Sequence, residues 1–223
     1  MITILGTSHV STRSQREVRA AIPDAGIVAI ELDAGRAGAL LTNKRATFSE
    51  LRQALGVKGA LLASVLRWFQ EKIAKDLGVV PGIEMRAALL ECKKQQKIVG
   101  LIDRPVQVTL QRLSKNFGWP EIRQMLRDFG KKQQLSIHPD DDLVAQLLEQ
   151  MKDKYPRIYR VMVSERDLYM ARALLHLVEQ YPGQNILAIV GKAHVPGLVK
   201  QISYLNPQIA VSVWNSNPTS TSK

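Results

Sequence analysis

Five short apolar segments are spread along the whole chain, and they predict its fold. They read MITIL, GIVAIEL, KIVGLID, NILAIVG and IAVSVW, and they are rich in valine and isoleucine. Most are continuously apolar, as is typical of strands in a parallel sheet that helices cover on both faces. Longer amphipathic segments separate them, which favours α/β units with right-handed crossovers. The pattern therefore predicts an α/β fold with a largely parallel central sheet of five strands.

Two of the connections are too long for one crossover helix. Residues 36–81 contain FSELRQAL and ALLASVLRWFQEKIAKDL, and residues 105–159 contain LQRLSKNF, WPEIRQMLRDFGKK and DDDLVAQLLEQMKDKY. Each of these segments is predicted to be a helix, with Gly, Pro and Asp between them. We therefore expect one domain over residues 1–214 with two helical insertions, and a disordered low-complexity tail over residues 215–223.

The composition narrows the class of protein. A chain of 223 residues with 45% hydrophobic residues can bury a large core. Its longest apolar run, GALLASVL, is far shorter than the roughly 20 residues that cross a bilayer. The chain opens on MITILG without the pattern of a secretory signal, and Cys92 is its single cysteine. We therefore expect a cytoplasmic protein without a transmembrane segment.

The net charge raises the question of an anionic partner. Lys and Arg number 31 against 20 Asp and Glu, which gives a formal charge of +11 and an isoelectric point of about 9.9. Basic stretches such as ECKKQQK, RQMLRDFGKKQQ and MKDKYPRIYR carry much of this charge. Aromatic residues make up only 5% of the chain and no nucleic-acid-binding motif is present. We expect solvated helix faces with at most a weak, salt-sensitive contact with polyanions.

Chemically active side chains follow the predicted strands. In open α/β sheets, ligands bind beyond the carboxyl ends of the strands. The first strand is followed by Gly6-Thr7-Ser8-His9, the second contains Glu31 and ends at Asp33, the third ends at Asp103-Arg104, and the fourth ends in Gly191-Lys192-Ala193-His194. Two imidazoles, several carboxylates and a guanidinium are therefore expected at one edge of the sheet.

Two of the four histidines share a Gly-x-x-His frame. A glycine after a strand lets the backbone turn at positive φ or approach a ligand closely, and the following histidine lies on a short loop. Imidazole is the commonest metal ligand, and Glu31 would add negative charge for a divalent ion. A single such frame is a weak signal, since many histidines near loops are surface residues. His138 and His176 lack the frame; we expect His138 to flank a helix start and His176 to be solvated.

Two helix starts add candidates. Glu84 lies in the first turn of PGIEMRAALLEC, away from the core stripe that includes Cys92. It is either a favourable partner of the helix dipole or a functional carboxylate. Arg166 lies in the first turn of SERDLYMARALLHLVEQY, where a cation opposes the dipole. It is expected to pair with a nearby carboxylate or an anionic ligand, while Ser164 and Asp167 have the spacing of a capping box.

Four stretches carry a family resemblance. They are GTSHVSTRSQREVRAAI with PDAGIVAIELDAGR, GIEMRAALLECKKQQKIVGLIDRPVQVTLQR, ERDLYMA, and VGKAHVPGL. Together they resemble the TraB/PrgY family, which is related to the GumN and TIKI proteins. The resemblance implies a fold related to the ChaN and erythromycin-esterase-like group. It also implies a metal-dependent hydrolase site, since TIKI members are regarded as metalloproteases and pheromone-shutdown members limit peptide pheromone activity.

The resemblance and the strand-end pattern select the same histidines. Carried onto this sequence, the implied site consists of His9, Glu31, Glu84 and His194, with Arg36, Asp103, Arg104 and Arg166 as supporting positions. His9, His194 and Glu31 are the expected ligands of a divalent ion, with zinc, manganese and cobalt all open. Glu84, or Glu31 if it is not a ligand, is the expected general base.

The remaining positions are assigned to substrate. Arg166 or Arg104 would bind a substrate carboxylate or the developing oxyanion, and Arg36, Asp103 and Arg104 would line the substrate site. The sequence thus predicts metal-assisted hydrolysis of a peptide or related acyl bond. A module that binds a peptide or anion without hydrolysing it stays an alternative, nucleic-acid binding through the basic insertions is a weaker one, and a homo-oligomer is compatible with the sequence.

Overall fold

A computed structural model describes residues 1–7, 12–42, 47–76, 82–116 and 152–214, together with residues 127 and 149. Within this part of the chain, all five predicted strands form one sheet with the order β3-β2-β4-β1-β5. Every pair of neighbouring strands is parallel. The strands are β1 (Ile2–Thr7), β2 (Ile27–Ile30), β3 (Ile98–Leu101), β4 (Ile186–Gly191) and β5 (Val211–Val213). The predicted α/β fold and its parallel sheet are confirmed.

Helices cover both faces of this sheet. They are α1 (Thr12–Ala21), α2 (Ala34–Thr42), α3 (Phe48–Asp76), α4 (Ile83–Lys94), α5 (Val106–Asn116), α6 (Pro156–Tyr159), α7 (Glu165–Gln180) and α8 (Val195–Leu205). A π-helical segment, Arg160–Ser164, runs into α7, and a 3₁₀ turn, Lys192–His194, joins β4 to α8. None of the helices in the described ranges is long and apolar enough to cross a membrane.

Side chains of the central strands alternate between two cores. Leu5, Val28 and Ile189 pack with α1 and α4 residues on one face. Ile4, Ala29 and Ala188 pack with α7 and α8 residues on the other. Because successive strand residues point to opposite faces, a continuously apolar strand feeds both cores.

The two edge strands differ from this pattern. Ile98, Val99 and Leu101 of β3 are exposed, and so is Val213 of β5. The expectation of burial on both faces therefore holds for β1, β2 and β4 but is wrong for the edges, within the described residues. Apolar composition alone does not distinguish a central strand from an edge strand, because it carries no information on strand order.

The first predicted insertion contains the expected helices and one more. Gly56, with φ 70° and ψ 175°, interrupts α3 between the two predicted helical segments. Helix α2 was not predicted, because its sequence AGRAGALLT is rich in glycine, a poor helix former. Asp33 compensates by accepting a hydrogen bond from the Arg36 backbone N–H at 3.0 Å, which caps the new helix.

The second predicted insertion lies only partly within the described residues. LQRLSKNF falls on α5, which begins at Val106, directly after Pro105. α3 packs against α5, so the two insertions are in contact. The predicted helices over 119–132 and 140–155 lie outside the described residues except for residues 127, 149 and 152–155, of which 152–154 are helical. The tail over 215–223 and His138 also lie outside them, and the division into domains stays a prediction.

The expected capping box at the start of α7 is wrong. Ser164 has helical φ and ψ angles of −60° and −41° and no side-chain cap, because the π-helical segment already supplies the preceding turn. The Asp167 side chain instead turns toward His194.

Candidate functional site

The carboxyl ends of the strands bring seven charged or titratable side chains together. Glu31 and Asp33 follow β2, and Asp103 follows β3. Backbone hydrogen bonds from Glu31 N to Ile189 O (3.0 Å) and from Asp103 N to Leu32 O (3.2 Å) continue the strand pairing past the strand ends. We call the following set the edge cluster: Glu31, Asp33, Arg36, Asp103, Arg166, Asp167 and His194.

Arg166 lies at the centre of the edge cluster. Its Nε donates to Asp103 Oδ1 at 3.1 Å and its Nη2 to Asp103 Oδ2 at 2.7 Å, a bidentate pair. Nη2 also donates to Glu31 Oε1. Nη1 donates to the Met162 carbonyl at 3.1 Å and to His194 Nε2 at 3.0 Å. All five N–H groups therefore have acceptors, and the predicted carboxylate partner of Arg166 is present in a buried site, not on the surface.

The hydrogen-bond partners of His194 determine which of its ring nitrogens carries the proton. Because a guanidinium can only donate, Nε2 of His194 must accept from Arg166. Its Nδ1 then carries the proton and donates it to Asp167 Oδ1 at 2.6 Å. His194 Nε2 also lies 3.4 Å from Glu31 Oε1. His194 is thus a buried imidazole whose Nε2 lone pair faces the two central charges of the cluster.

Glu31 is held as a carboxylate. Burial raises its pKa, but the Arg166 guanidinium and the Gly191 N–H, which donates to Oε2 at 2.7 Å, hold the pKa of Glu31 below its ordinary value of 4.5. Asp167 differs, because burial outweighs the bond from His194 and raises the pKa of Asp167. The two carboxylates on either side of His194 are therefore electrostatically unequal.

Arg36 connects the edge cluster to solvent. Its side chain is 35% exposed, and its Nε donates to Asp33 Oδ2 at 2.9 Å. Its Nη2 donates to Asp103 Oδ2 and, at 3.2 Å, to the Glu31 carbonyl. Burial raises the pKa of Asp103, but Arg166 and Arg36 outweigh that effect and the pKa of Asp103 is lowered. Asp103 is thus shared between a buried arginine and a half-buried one.

Arg104 belongs to a second group of charges beside the edge cluster. Its donors contact Thr109 Oγ1 at 2.8 Å, Glu165 Oε2 at 2.9 Å and the Val161 carbonyl at 2.6 Å. We call Arg104, Arg112, Arg160 and Glu165 the Glu165 cluster. Because Arg104 is buried and ties α5 to the π-helical segment, this geometry favours a bracing role over the substrate contact expected from the sequence.

Three further positions named from the sequence are Glu84, His9 and His176. Glu84 is buried, with 1% of its surface exposed, in the first turn of α4. His9 lies outside the described residues, so its side chain is not placed. His176 is exposed and lies 3.9 Å from Glu179, as expected for a solvated residue.

The two Gly-x-x-His frames begin side by side. β1 and β4 pair in register, with Gly6 opposite Val190 and Thr7 opposite Gly191. Neither glycine has positive φ, so the first of their two expected roles, a turn at positive φ, is wrong: Gly191 is extended at φ −63°, and Gly6 lies within β1. Gly6 instead allows a close approach, since a Cβ there would lie 2.8 Å from Val195 Cγ2.

The edge cluster offers a metal ion two donors with suitable spacing. Within the described ranges, no group of three or more His, Cys, Asp or Glu has the geometry to hold one. Glu31 Oε1 and His194 Nε2 nevertheless lie 3.4 Å apart, and two ligands at about 2.0 to 2.1 Å in a tetrahedral site are separated by about 3.4 Å. The pair therefore fits two positions of one ion, provided that Arg166 withdraws and a third donor joins.

Asp167 is the site residue that sequence reasoning missed. Its spacing from Ser164 suggested a capping role, and that interpretation hid its use as the partner of His194. The sequence did offer one signal, which is the position of Asp167 directly after Arg166 at a helix start. Both side chains reach the same edge of the sheet, in different orientations.

Comparisons with known proteins identify the family of the chain. A model of the TraB/PrgY/gumN family matches residues 1–208. An uncharacterized protein of Methanocaldococcus jannaschii is 30% identical over 215 residues, which cover 92% of this chain and 54% of that protein. A TraB domain-containing protein of Homo sapiens is 28% identical over 237 residues, covering 91% of this chain and 62% of that protein. The chain thus spans little more than half the length of these relatives.

Proposed function

The chain belongs to the TraB/PrgY/gumN family, and from that premise we propose that it is a metal-dependent hydrolase acting on a peptide or a related acyl bond. The observation that carries the proposal is the pair of donors on Glu31 and His194, 3.4 Å apart. Asp167 supports it, because metal-binding histidines usually donate their other ring N–H to a carboxylate or carbonyl.

His9 is the third donor of the proposed site. Its frame leaves β1 directly beside the point where the His194 frame leaves β4, since Thr7 pairs with Gly191. Parallel neighbouring strands deliver their following residues to the same edge. His9, His194 and Glu31 would hold a zinc, manganese or cobalt ion and leave positions for water and substrate.

The charge of the edge cluster also favours a cation. Four carboxylates, on Glu31, Asp33, Asp103 and Asp167, stand against the guanidinium groups of Arg36 and Arg166. With His194 neutral, the cluster carries more negative than positive charge. A divalent ion bound there would polarise a scissile carbonyl and lower the pKa of its bound water.

The other residues take roles that follow from their positions. Glu84, buried at the start of α4, or Glu31, would accept the proton of the attacking water. Arg166, once released from Glu31 and His194, would stabilise the developing oxyanion. Arg36, half-exposed at the rim, would contact the substrate. Asp103 would hold both arginines.

Metal content and calorimetric titration with zinc, manganese and cobalt test the proposal. The variants are His9→Ala, His194→Ala and the double change, with His138→Ala and His176→Ala as controls. Either ligand change should weaken metal binding by more than about 100-fold, since losing even an outer partner costs 10- to 100-fold. The double change should be little worse than either single change, because the ligands act as a unit.

Hydrolysis of a mixed peptide library, with and without a chelator, provides the functional measurement. Chelator-sensitive cleavage that both His→Ala ligand variants lose supports the proposal. A folded parent protein that binds none of the three ions and cleaves nothing would refute it.

One observation favours the non-catalytic alternative. Arg166 bridges both donors, Glu31 Oε1 and His194 Nε2, so the pair is satisfied without an ion. A peptide-binding module would keep this arrangement. Peptide binding that a chelator leaves unchanged, without cleavage, would select that function.

A further inference from the structure

Gly197, in the first turns of α8, is pressed against the carboxylate of Asp167. A Cβ at position 197 would lie 2.0 Å from Asp167 Oδ2 and 2.6 Å from its Cγ. Both distances are far below any real carbon contact, and the obstruction is the functional end of a buried side chain. A residue larger than glycine at this position therefore requires Asp167 to move.

The Asp167 carboxylate is held between two elements. One oxygen, Oδ1, accepts from His194 Nδ1 at 2.6 Å, while the other lies against the backbone of α8 at Gly197. α8 begins at Val195, directly after His194, so the turn that carries the histidine also carries the glycine. The segment VGKAHVPGL thus contains both His194 and Gly197, the glycine that leaves room for the carboxylate partner of the imidazole.

We propose that Asp167 is the positioning residue for His194 and that Gly197 sets the place of Asp167, so that the Nε2 lone pair of His194 points at Glu31. The identification of Nε2 as a metal donor rests on the proposed function; the assignment of the tautomer does not. A merely structural ion pair would stabilise α7 against the turn without selecting one nitrogen, so the tautomer separates the two interpretations.

The alternative tautomer would be inactive in the proposed site. With the proton on Nε2, that nitrogen could neither accept from Arg166 nor bind a metal. Asp167 excludes this form, because its ionised oxygen at 2.6 Å requires a donor on Nδ1. Asn at position 167 can present either its amide N–H or its oxygen to Nδ1, and a Cβ on residue 197 displaces the carboxylate; in both variants the ring is free to turn away from Arg166, so both tautomers should be populated.

The test uses metal-free protein labelled with ¹⁵N-histidine. Long-range ¹H–¹⁵N correlation spectra, assigned with His194→Gln, report which ring nitrogen of His194 is protonated. The parent should show the Nδ1–H form alone. Asp167→Asn and Gly197→Ala should each show a mixture of tautomers. Gly38→Ala is the matched control, since a Cβ there meets nothing within 4 Å, and it should match the parent.

Zinc titration of the same proteins gives a second readout. Asp167→Asn and Gly197→Ala should bind zinc about 10- to 100-fold more weakly than the parent, the usual effect of losing an outer partner of a metal ligand. Two variants are used so that a folding failure of one leaves the other, with circular dichroism to verify the fold.

The outcomes separate this inference from the proposed function. Retention of the pure Nδ1–H tautomer in either folded variant overturns the positioning role. If the parent binds none of zinc, manganese and cobalt but the variants lose the single tautomer, the positioning role stands and the metal-dependent function fails. If zinc binds and the tautomers change but affinity does not, Asp167 fails as a support of the metal ligand.

Discussion

Arg104 is buried and the side chain of Arg166 is only 12% exposed, but the two arginines differ in the residues that they bind. Both donate to a carboxylate and to a carbonyl of the π-helical segment, Val161 for Arg104 and Met162 for Arg166. Arg104 otherwise contacts Thr109 and Glu165, which have no place in the candidate chemistry. Arg166 contacts Glu31 and His194, the two donors of the proposed metal site. Burial and ion pairing are therefore common to both, and the identity of the partners distinguishes a candidate functional arginine.

The two clusters also differ in the number of arginines that compensate each carboxylate. Glu165 has three arginine partners, and two of them, Arg112 and Arg160, are 55% and 77% exposed. Glu31 and Asp103 are 10% and 2% exposed, and both depend on Arg166. Loss of Arg104 leaves Glu165 with two other arginines, whereas loss of Arg166 leaves the Glu31 carboxylate with no guanidinium partner among the described residues.

Arg166→Met should therefore have the largest effect on stability. We expect the free energy of unfolding of the metal-free protein to fall by about 3 to 5 kcal/mol, the usual cost of removing one partner of a buried ion pair. Urea denaturation followed by circular dichroism measures this change. Because a divalent ion could replace the lost positive charge between Glu31 and His194, zinc should restore part of the stability. A variant as stable as the parent without metal would contradict the central place of Arg166.

Cys92 offers an independent probe of that destabilisation. Burial raises the pKa of its thiol to about 11, so only about one thiol in a thousand is ionised at pH 8. Alkylation at pH 8 should therefore be slow in the parent and require opening of the core. Arg166→Met should be alkylated faster in the absence of zinc. Equal rates would mean that the variant leaves the core intact.

Arg104→Met should destabilise the protein less, by about 1 to 3 kcal/mol. The cause is the loss of hydrogen bonds to Thr109 and to the Val161 carbonyl, since Glu165 keeps its other partners. The same urea experiment measures it. Zinc should give no recovery beyond its effect on the parent, because no metal donor has been left unpaired. Zinc recovery equal to that of Arg166→Met would remove the distinction between the clusters.

The comparison also shows how far the sequence could reach. The strands were predictable because apolar periodicity is a local pattern. The convergence of Glu31, Asp103 and His194 was predictable because parallel strands place their carboxyl ends at one edge of the sheet. Nothing local distinguishes Arg104 from Arg166, since both lie beside an acidic residue at an element's end. Their roles follow from partners 28 to 135 residues away in the chain.

Two smaller errors have the same origin. Gly6 was expected to allow a turn at positive φ or a close approach to a ligand, yet the group that approaches it is Val195, on a distant segment. Asp167 was assigned to a capping box by its spacing from Ser164, yet the tertiary contact with His194 prevails. A spacing rule describes what a side chain can do locally, and burial beside a stronger partner overrides it.

Arg166→Lys should separate charge from geometry. Lysine keeps the positive charge near Glu31 and Asp103, so stability should fall by only about 1 kcal/mol. It cannot reproduce the bidentate pair with Asp103 together with the bond to His194, so peptide turnover should fall roughly 100-fold. Turnover with saturating zinc, compared with the urea midpoint, makes the test. A fully active variant, or one whose main defect is unfolding, would contradict a functional role for the guanidinium.

Glu165→Gln should have the smallest effect, and its dependence on pH is the informative part. Burial raises the pKa of Glu165, but Arg104, Arg112 and Arg160 outweigh it, and the pKa lies below its ordinary value of 4.5. A carboxyl group whose folded pKa is lowered contributes stability above its unfolded pKa, and this contribution is lost as pH falls through the folded value. The parent should therefore be more stable than Glu165→Gln near pH 7, by less than about 1 kcal/mol because two of the arginines are exposed. The difference should shrink between about pH 5 and pH 3, as urea midpoints across that range would reveal.

In the Arg104→Met background the pH-dependent difference should be smaller still, whereas in the Arg166→Lys background it should be unchanged. A difference that stays constant with pH would mean that Glu165 acts through packing, and the contrast between a compensated and an uncompensated carboxylate would lose its electrostatic basis.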